Sequence, residues 1–194
     1  EKELTPMAML SISVPSSLLG HQSHSRPSAA HASSERERMP EQIRLNHQET
    51  EGCLLSSRLR RTTELLTFQL PNGNKNRIAP VFDPFRDCTP FTCSIEILEP
   101  KGVIPRHKHD KAYELFIILS GCADLYLNDI TKISGQHGDT LLVKPQNFHS
   151  LVNPDENEKL YMLSIILPNE TFAEDVWNGK FSGKLQNADV DHLV

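Results

Sequence analysis

The sequence predicts an all-β fold, a sandwich or barrel of short strands, behind a long polar leader. Two observations lead there. From Glu64 onward, short apolar or alternating runs follow one another at regular spacing, punctuated by clusters of Pro, Gly, Asn and Asp. Only one segment, near the end, carries the periodicity of a helix.

In order, the runs are Glu64–Leu70, Arg77–Phe82, Phe91–Leu98, Tyr113–Leu119, Ala123–Leu127, Thr140–Val143, Phe148–Val152 and Leu160–Leu167. Between them lie Pro71-Asn72-Gly73-Asn74, Asp83-Pro84, Glu99-Pro100-Lys101-Gly102, Asn128-Asp129, Ser134-Gly135, Gly138-Asp139 and Asn153-Pro154-Asp155. On Tyr113–Ser120, alternation puts Glu114, Phe116 and Ile118 on one face and Tyr113, Leu115, Ile117 and Leu119 on the other. Both faces are apolar, so the strand should be covered on both sides. Leu160–Leu167 behaves likewise, with Ser164 its one polar break. One side is the barrel interior. The other needs an N-terminal strand, the C-terminal helix or a second subunit, and the last of these predicts a homodimer.

The helix is expected at Thr171-Phe172-Ala173-Glu174, which has the capping-box pattern, with Phe172 and Val176 four apart and Gly179 as a stop. Its small apolar face should lie against the outside of the barrel. Residues past Lys180 read as a polar tail. The expected organisation is a leader over 1–62, a barrel over 63–169, and a helix and tail over 170–194.

Bulk properties narrow the function. A chain of 194 residues holds one domain with a substantial core and little more. Its net charge of −5 announces no basic surface, so no nucleic-acid partner is expected. No apolar stretch is long enough to span a bilayer, so no membrane partner is expected either. Cys53, Cys88, Cys93 and Cys122 show no Cys-x-x-Cys spacing and read as reduced thiols of an intracellular compartment; a Cys88–Cys93 disulfide is the disfavoured alternative.

The leader is rich in Ser, Ala and His from Leu10 to Ser34 and lacks acidic residues there. That composition cannot assemble a packed core, and it matches an organelle transit peptide, plastid (chloroplast) ahead of mitochondrion. Met7 reads as a start. The alternative is an ordinary disordered tail on a cytoplasmic protein that starts at Met39. His21, His24, His31 and His47 lie in this leader and are assigned no role.

The chemistry of the chain gathers around His107 and His109, one residue apart just ahead of Glu114, with His149 in a later run. On a strand, a spacing of two turns both imidazoles to one face and Lys108 to the other. Glu114 opens an otherwise apolar run, and a buried carboxylate without a partner is costly; a divalent cation shared with imidazoles would supply the partner. Arg106 and Lys108 flank the site, His137 reads as a turn residue, and Lys144, Gln146 and Asn147 are candidates for the mouth. Beyond the ligands no acid–base pair is visible, and neither a nucleophile elbow nor a phosphate loop is present.

Two motifs in order now resemble the cupin superfamily, in particular its small single-domain, RmlC-like members. The first runs Gly102, His107, His109, Glu114, Gly121, with the spacer after Gly102 one residue shorter than the family's. The second runs Gly138, Asp139, Pro145, His149, Asn153, with the Pro shifted by one and Asn147 near the position of a turn glycine. The resemblance covers about residues 63–169. It implies a jelly-roll β-barrel (a double-stranded β-helix) with one divalent metal ion held near its mouth by His107, His109, Glu114 and His149.

Three imidazoles and a carboxylate suit Fe(II), Mn(II), Ni(II), Co(II) or Zn(II), and the absence of thiolates argues against a structural zinc site. An octahedral ion would keep positions open for a small-molecule substrate and dioxygen. Three functions stay open: a metal-dependent dioxygenase or related oxidoreductase, an isomerase or epimerase on the same barrel, and a non-catalytic small-molecule-binding or structural subunit.

Overall fold

The computed structural model describes residues 57–70 and 75–193; the leader's targeting-like stretch and Cys53 lie outside them. Eleven strands form two antiparallel sheets among the described residues. They are β1 (Leu66–Gln69), β2 (Arg77–Phe82), β3 (Thr92–Leu98), β4 (Val103–His107), β5 (Tyr113–Ser120), β6 (Cys122–Leu127), β7 (Thr131–Gln136), β8 (Thr140–Val143), β9 (His149–Val152), β10 (Leu160–Leu167) and β11 (Lys180–Lys184). The larger sheet runs β11-β1-β2-β3-β10-β5-β8 and the smaller β4-β9-β6-β7. Three short α-helices accompany them: α1 (Pro84–Asp87), α2 (Phe172–Trp177) and α3 (Asn187–Val190). None is long and apolar enough to cross a membrane.

The all-β expectation is met, and most runs become strands at nearly the expected bounds. β7 was not expected, because Thr131–Gln136 offers only Ile133 to an apolar pattern and Ser134-Gly135 reads as a turn, yet both residues lie within the strand. It is an edge strand with one buried residue, Gly135, and an edge needs little burial. Asn128 and Asp129 link it to β6 with φ of 50° and 60°, the left-handed geometry that Asn and Asp tolerate in tight turns.

The inner faces of both sheets supply the main core: Leu98, Phe116 and Ile118, Leu125, Leu151, and Leu160 with Met162 pack as one cluster. Alternation along β3 and β10 carries polar residues onto the same inner face toward the other end. Glu96 stands opposite Ile78 and Met162, Ser94 opposite Ser164, and Glu114 opposite Ile166. The barrel is therefore dry at one end and polar at the other. Gly121, the last residue of the first motif, adopts φ 91°, and a Cβ there would sit 2.8 Å from the Lys159 carbonyl oxygen. The turn is thus closed to side chains.

Three features of the C-terminal region differ from expectation. First, Thr171 makes no side-chain cap to α2. The cap comes from Asn169, whose Oδ1 accepts from Ala173 N at 3.0 Å and whose Nδ2 donates to Glu174 at 3.0 Å. The reciprocal logic of a capping box is kept, displaced by two residues. Second, α2 does not lie outside the barrel. Ala173, Val176 and Trp177 pack on Phe68 and Ile78, on the inner-face side of β1 and β2, with Phe68 and Trp177 rings 4.8 Å apart edge to face.

Third, the residues past Lys180 are no tail. β11 pairs with β1, and Leu185, Val190 and Leu193 cover the outer face of β2, β3 and β10 at Ala79, Ile95, Ile97 and Tyr161. This segment, rather than an N-terminal strand or α2, covers that part of the sheet. Its few apolar residues are too widely spaced to form a period, which is why it reads as polar.

One buried ion pair fastens the segment. Asp189, 1% exposed, accepts from Arg77 Nη1 and Nη2 at 2.8 and 3.0 Å and from the Tyr161 hydroxyl at 3.0 Å. Burial works to raise the Asp189 pKa, but the Arg77 guanidinium and the Tyr161 hydrogen bond outweigh it and hold the carboxyl below its ordinary 3.8. Cys88, Cys93 and Cys122 are free thiols, so no Cys88–Cys93 disulfide forms.

Removing one member of a buried pair strands the other. Asp189→Asn should lower unfolding free energy by roughly 3 kcal/mol at neutral pH, read as a shift of the urea midpoint. Because the folded carboxyl titrates below the unfolded one, its contribution is complete above about pH 4 and is lost as pH falls through the lower folded value. The gap between wild type and variant should therefore close on acidification, not on alkalinisation.

Candidate metal centre

Each of the four residues singled out from sequence reaches the polar end of the barrel from a different element. His107 is the last residue of β4, opposite His149 at the start of β9. Glu114 sits near the start of β5, in register with Val143 and Ile166. His109 lies beyond the end of β4, so strand alternation does not place it beside His107, as the spacing of two suggested. The loop does. Gln146 N donates to the His109 carbonyl at 2.8 Å, and Gln146 Nε2 to the Asp110 carbonyl at 2.9 Å.

That clamp depends on an unusual backbone. Gln146, rather than Asn147, takes the left-handed position of the β8–β9 turn, with φ 66°. Asn147 instead braces the turn with its side chain, donating to the Lys144 and Pro145 carbonyls and accepting from Asn128. At the far end of the second motif, buried Asn153 donates to the Glu99 and Glu158 carbonyls at 3.1 and 2.8 Å. Its place in the motif is structural.

The side chains converge on one atom. Glu114 Oε2 lies 2.7 Å from His149 Nε2, 3.3 Å from His109 Nε2 and 3.7 Å from His107 Nε2. The ligand atoms all fall within 4.8 Å of one another. Donors about 2.1 Å from an octahedral ion are separated by roughly 3 Å when adjacent and 4.2 Å when opposite, so small side-chain adjustments would bring all four onto one ion.

The outer nitrogens are each engaged. His107 Nδ1 lies 2.8 Å from the Pro105 carbonyl, His149 Nδ1 3.0 Å from the Asn147 carbonyl, and His109 Nδ1 3.4 Å from Glu170 Oε2. Facing carbonyl oxygens, the Nδ1 atoms of His107 and His149 must carry the proton, which leaves Nε2 as a lone pair in a neutral ring. Three such lone pairs around a buried carboxylate oxygen would repel it. The arrangement is stable only with cationic charge among them, from imidazolium protons or from a metal ion. His109 Nε2 is buried and makes no well-aligned hydrogen bond, as a nitrogen kept for a metal would be. The donor set and geometry fit a divalent cation.

Electrostatics agree. Burial works against charge on His107 and His109, but contact with Glu114 outweighs it and raises both pKa values. Burial also works to raise Glu114, and the three imidazoles overcome it, holding the carboxyl far below the usual range. Glu170, on the loop after β10, accepts from Lys111 N and Ala112 N at 2.5 and 2.9 Å. It thus fixes the His109 loop and orients the His109 ring together.

Beside the cluster opens a cavity of about 390 Å³. Leu70, Ile78, Ile104 and Phe172 form its apolar wall, and Glu96, Glu170 and Asp175 join Glu114 as its carboxyl groups. Lys108 contributes to the rim, while its ammonium turns to Gln146 and Asp110 at 2.9 and 3.2 Å. Arg106 stacks on Phe148 and pairs with Asp129, and His137 bonds the Leu119 carbonyl in a turn, away from the cluster.

Glu96 is the residue that sequence reading missed. It is 4% exposed and inside the barrel, and burial together with the Glu114 charge pushes its carboxyl up to about 8. No acid–base pair was expected beyond the ligands; Glu96 adds one buried carboxyl beside them. The signal was present: Glu96 interrupts the apolar run Cys93–Leu98, as Glu114 interrupts that of β5.

Residues 94–166, which include both motifs, match the family model of the cupin domain. Among solved structures the chain is similar to a predicted oxalate decarboxylase from Thermotoga maritima, with TM-score 0.52 and 22% identity over 57% of this chain and 99% of that one. It is also similar to an RmlC-like cupin from Shewanella frigidimarina, with TM-score 0.50 and 13% identity over 61% of this chain and 96% of that one. No curated protein matches the chain. At these identities the likeness is one of fold. Motifs, two-sheet barrel and family match agree, and the barrel of this chain is a cupin domain.

Proposed function

We propose that the chain holds one divalent metal ion on His107, His109, Glu114 and His149 and acts as a metal-dependent dioxygenase or related oxidoreductase on a small molecule. The observation that carries this reading is the convergence of three imidazole Nε2 atoms on one buried carboxylate oxygen. A bound ion with open positions would polarise a coordinated substrate and offer a place for oxygen beside it. The protein's own residues do the rest. Pro105, Asn147 and Glu170 fix the rings, the Leu70–Phe172 wall excludes water, and the cavity volume limits the ligand to a small molecule.

One observation favours a second reading. Glu96 places a carboxyl in the cavity that could move a proton, as an isomerase or epimerase requires. Oxygen uptake against a substrate panel separates the two: the oxidoreductase consumes oxygen in proportion to turnover, and the isomerase exchanges substrate hydrogen with deuterated solvent without consuming any.

We also propose a homodimer. Beyond the C-terminal segment, the outer face of β10, β5 and β8 leaves Tyr113, Leu142 and Leu167 about half exposed beside Leu115, Ile117 and Ile165. A second copy would bury this strip isologously. The leader's composition favours import into an organelle.

Anaerobically purified protein should carry close to one metal ion per chain. His107→Ala with His149→Ala should abolish retention and leave the barrel folded, by metal analysis and circular dichroism; stoichiometric metal in that variant refutes the assignment. Glu170→Ala, which frees the His109 ring, should weaken metal affinity by roughly 10- to 100-fold in competition with a chelator. Sedimentation at micromolar concentration should show a dimer, and Leu142→Asp should shift it to monomer.

A further inference from the structure

We infer that Glu96 is the floor of a substrate subsite beside the metal centre, where it receives a hydroxyl or amino hydrogen of the metal-bound molecule. The inference rests on the metal reading and adds the substrate class to it: a small chelating molecule that carries a hydrogen-bond donor next to its metal-binding oxygens. Its apolar remainder lies against Leu70, Ile78, Ile104 and Phe172.

Three observations support it. Glu96 is buried yet lines the cavity, so its carboxyl faces the ligand space and not the solvent. It stands outside the group of four whose donors lie within 4.8 Å of one another, so it is not a fifth ligand of that cluster. Among the described residues no cation lies within ion-pair distance of it; its polar neighbour is the Ser164 hydroxyl, which, like the buried Ser94 hydroxyl on the same face, makes no well-formed hydrogen bond. Every other charged group of the cavity wall is engaged except Asp175, which is exposed to solvent. Glu114 meets three imidazoles, Glu170 caps two amides, and Lys108 pairs with Asp110. Asp175 stands at the exposed rim on α2.

A structural carboxyl so placed would be matched by an arginine, as Asp189 is by Arg77. Glu96 has no such match, and a buried carboxyl short of partners costs stability that a ligand donor recovers on binding. A hydroxyl suits the group in either protonation state, and an ammonium suits the carboxylate. A carboxylate or phosphate arm reaching the same floor would be repelled.

The test uses the full chain loaded with cobalt, whose visible spectrum reports chelation. Three hydroxamates of equal size are titrated: propanohydroxamate, glycolohydroxamate and glycine hydroxamate, ending in methyl, hydroxyl and ammonium. The hydroxyl and ammonium forms should bind on the order of tenfold tighter than the methyl form. Glu96→Leu should erase the difference and melt no lower than wild type, while Glu96→Gln should keep the hydroxyl preference and lose the ammonium one. Equal affinities in cobalt-loaded wild type, or a preference that survives Glu96→Leu, overturn the subsite alone. Lowered melting temperatures in both variants overturn it in favour of a structural role. A chain that takes up no cobalt overturns the metal reading, and the subsite with it.

Discussion

One oxygen atom organises this molecule. Glu114 Oε2 is buried among three imidazole nitrogens whose outer partners leave them as lone pairs, and like-signed electron density cannot be packed together without a cation. The barrel's construction around it follows from that. β4 and β9 bring two rings together, tilted by 54° with centroids 4.1 Å apart, and the Gln146 turn and Glu170 loop deliver the third from outside any strand. An apolar core of the ordinary kind would need none of these devices. They are the cost of concentrating unfavourable groups at one end of the barrel, and the dry end around Phe116 and Met162 offsets it.

The strands of the barrel were legible because they are buried on one or both faces, and burial leaves a period in the sequence. The four candidate ligands were legible because imidazole and carboxylate side chains in apolar company stand out. What sequence could not supply was the route by which they meet. His109 is two residues from His107, as alternation would ask, yet β4 has ended before it and a distant turn sets its position. Gln146 carries positive φ although its side chain gives no hint of it, and Asn147, the better candidate by composition, does not. Glu96 breaks an apolar run as Glu114 does, but only the neighbouring strands show that its side of β3 is the inside.

The C-terminal region shows a different blindness. Its fixation depends on a few contacts made far away in sequence: Asp189 with Arg77, Tyr161 stacked on His192 at 4.7 Å, and Leu185 with Leu193 in the outer cluster. A segment held by scattered anchors has no periodicity of its own, so propensity and pattern see only polar residues. α2 is similar in kind. Its burial against Phe68 and Ile78 becomes visible only when β1 and β2 are in place, and the same helix then supplies Phe172 to the cavity wall.

The pairing of β1 with β11 has a kinetic consequence. Thr67 and Gly183 are bonded across 116 residues of chain, and β3 meets β10 across 62 to 74 residues. Closing such loops costs configurational entropy before any contact rewards it. Folding of this domain therefore belongs to the millisecond-to-second regime of non-local β topologies. Until β1 and β11 close, the unpaired edge of β2 is a surface on which self-association competes with the native barrel.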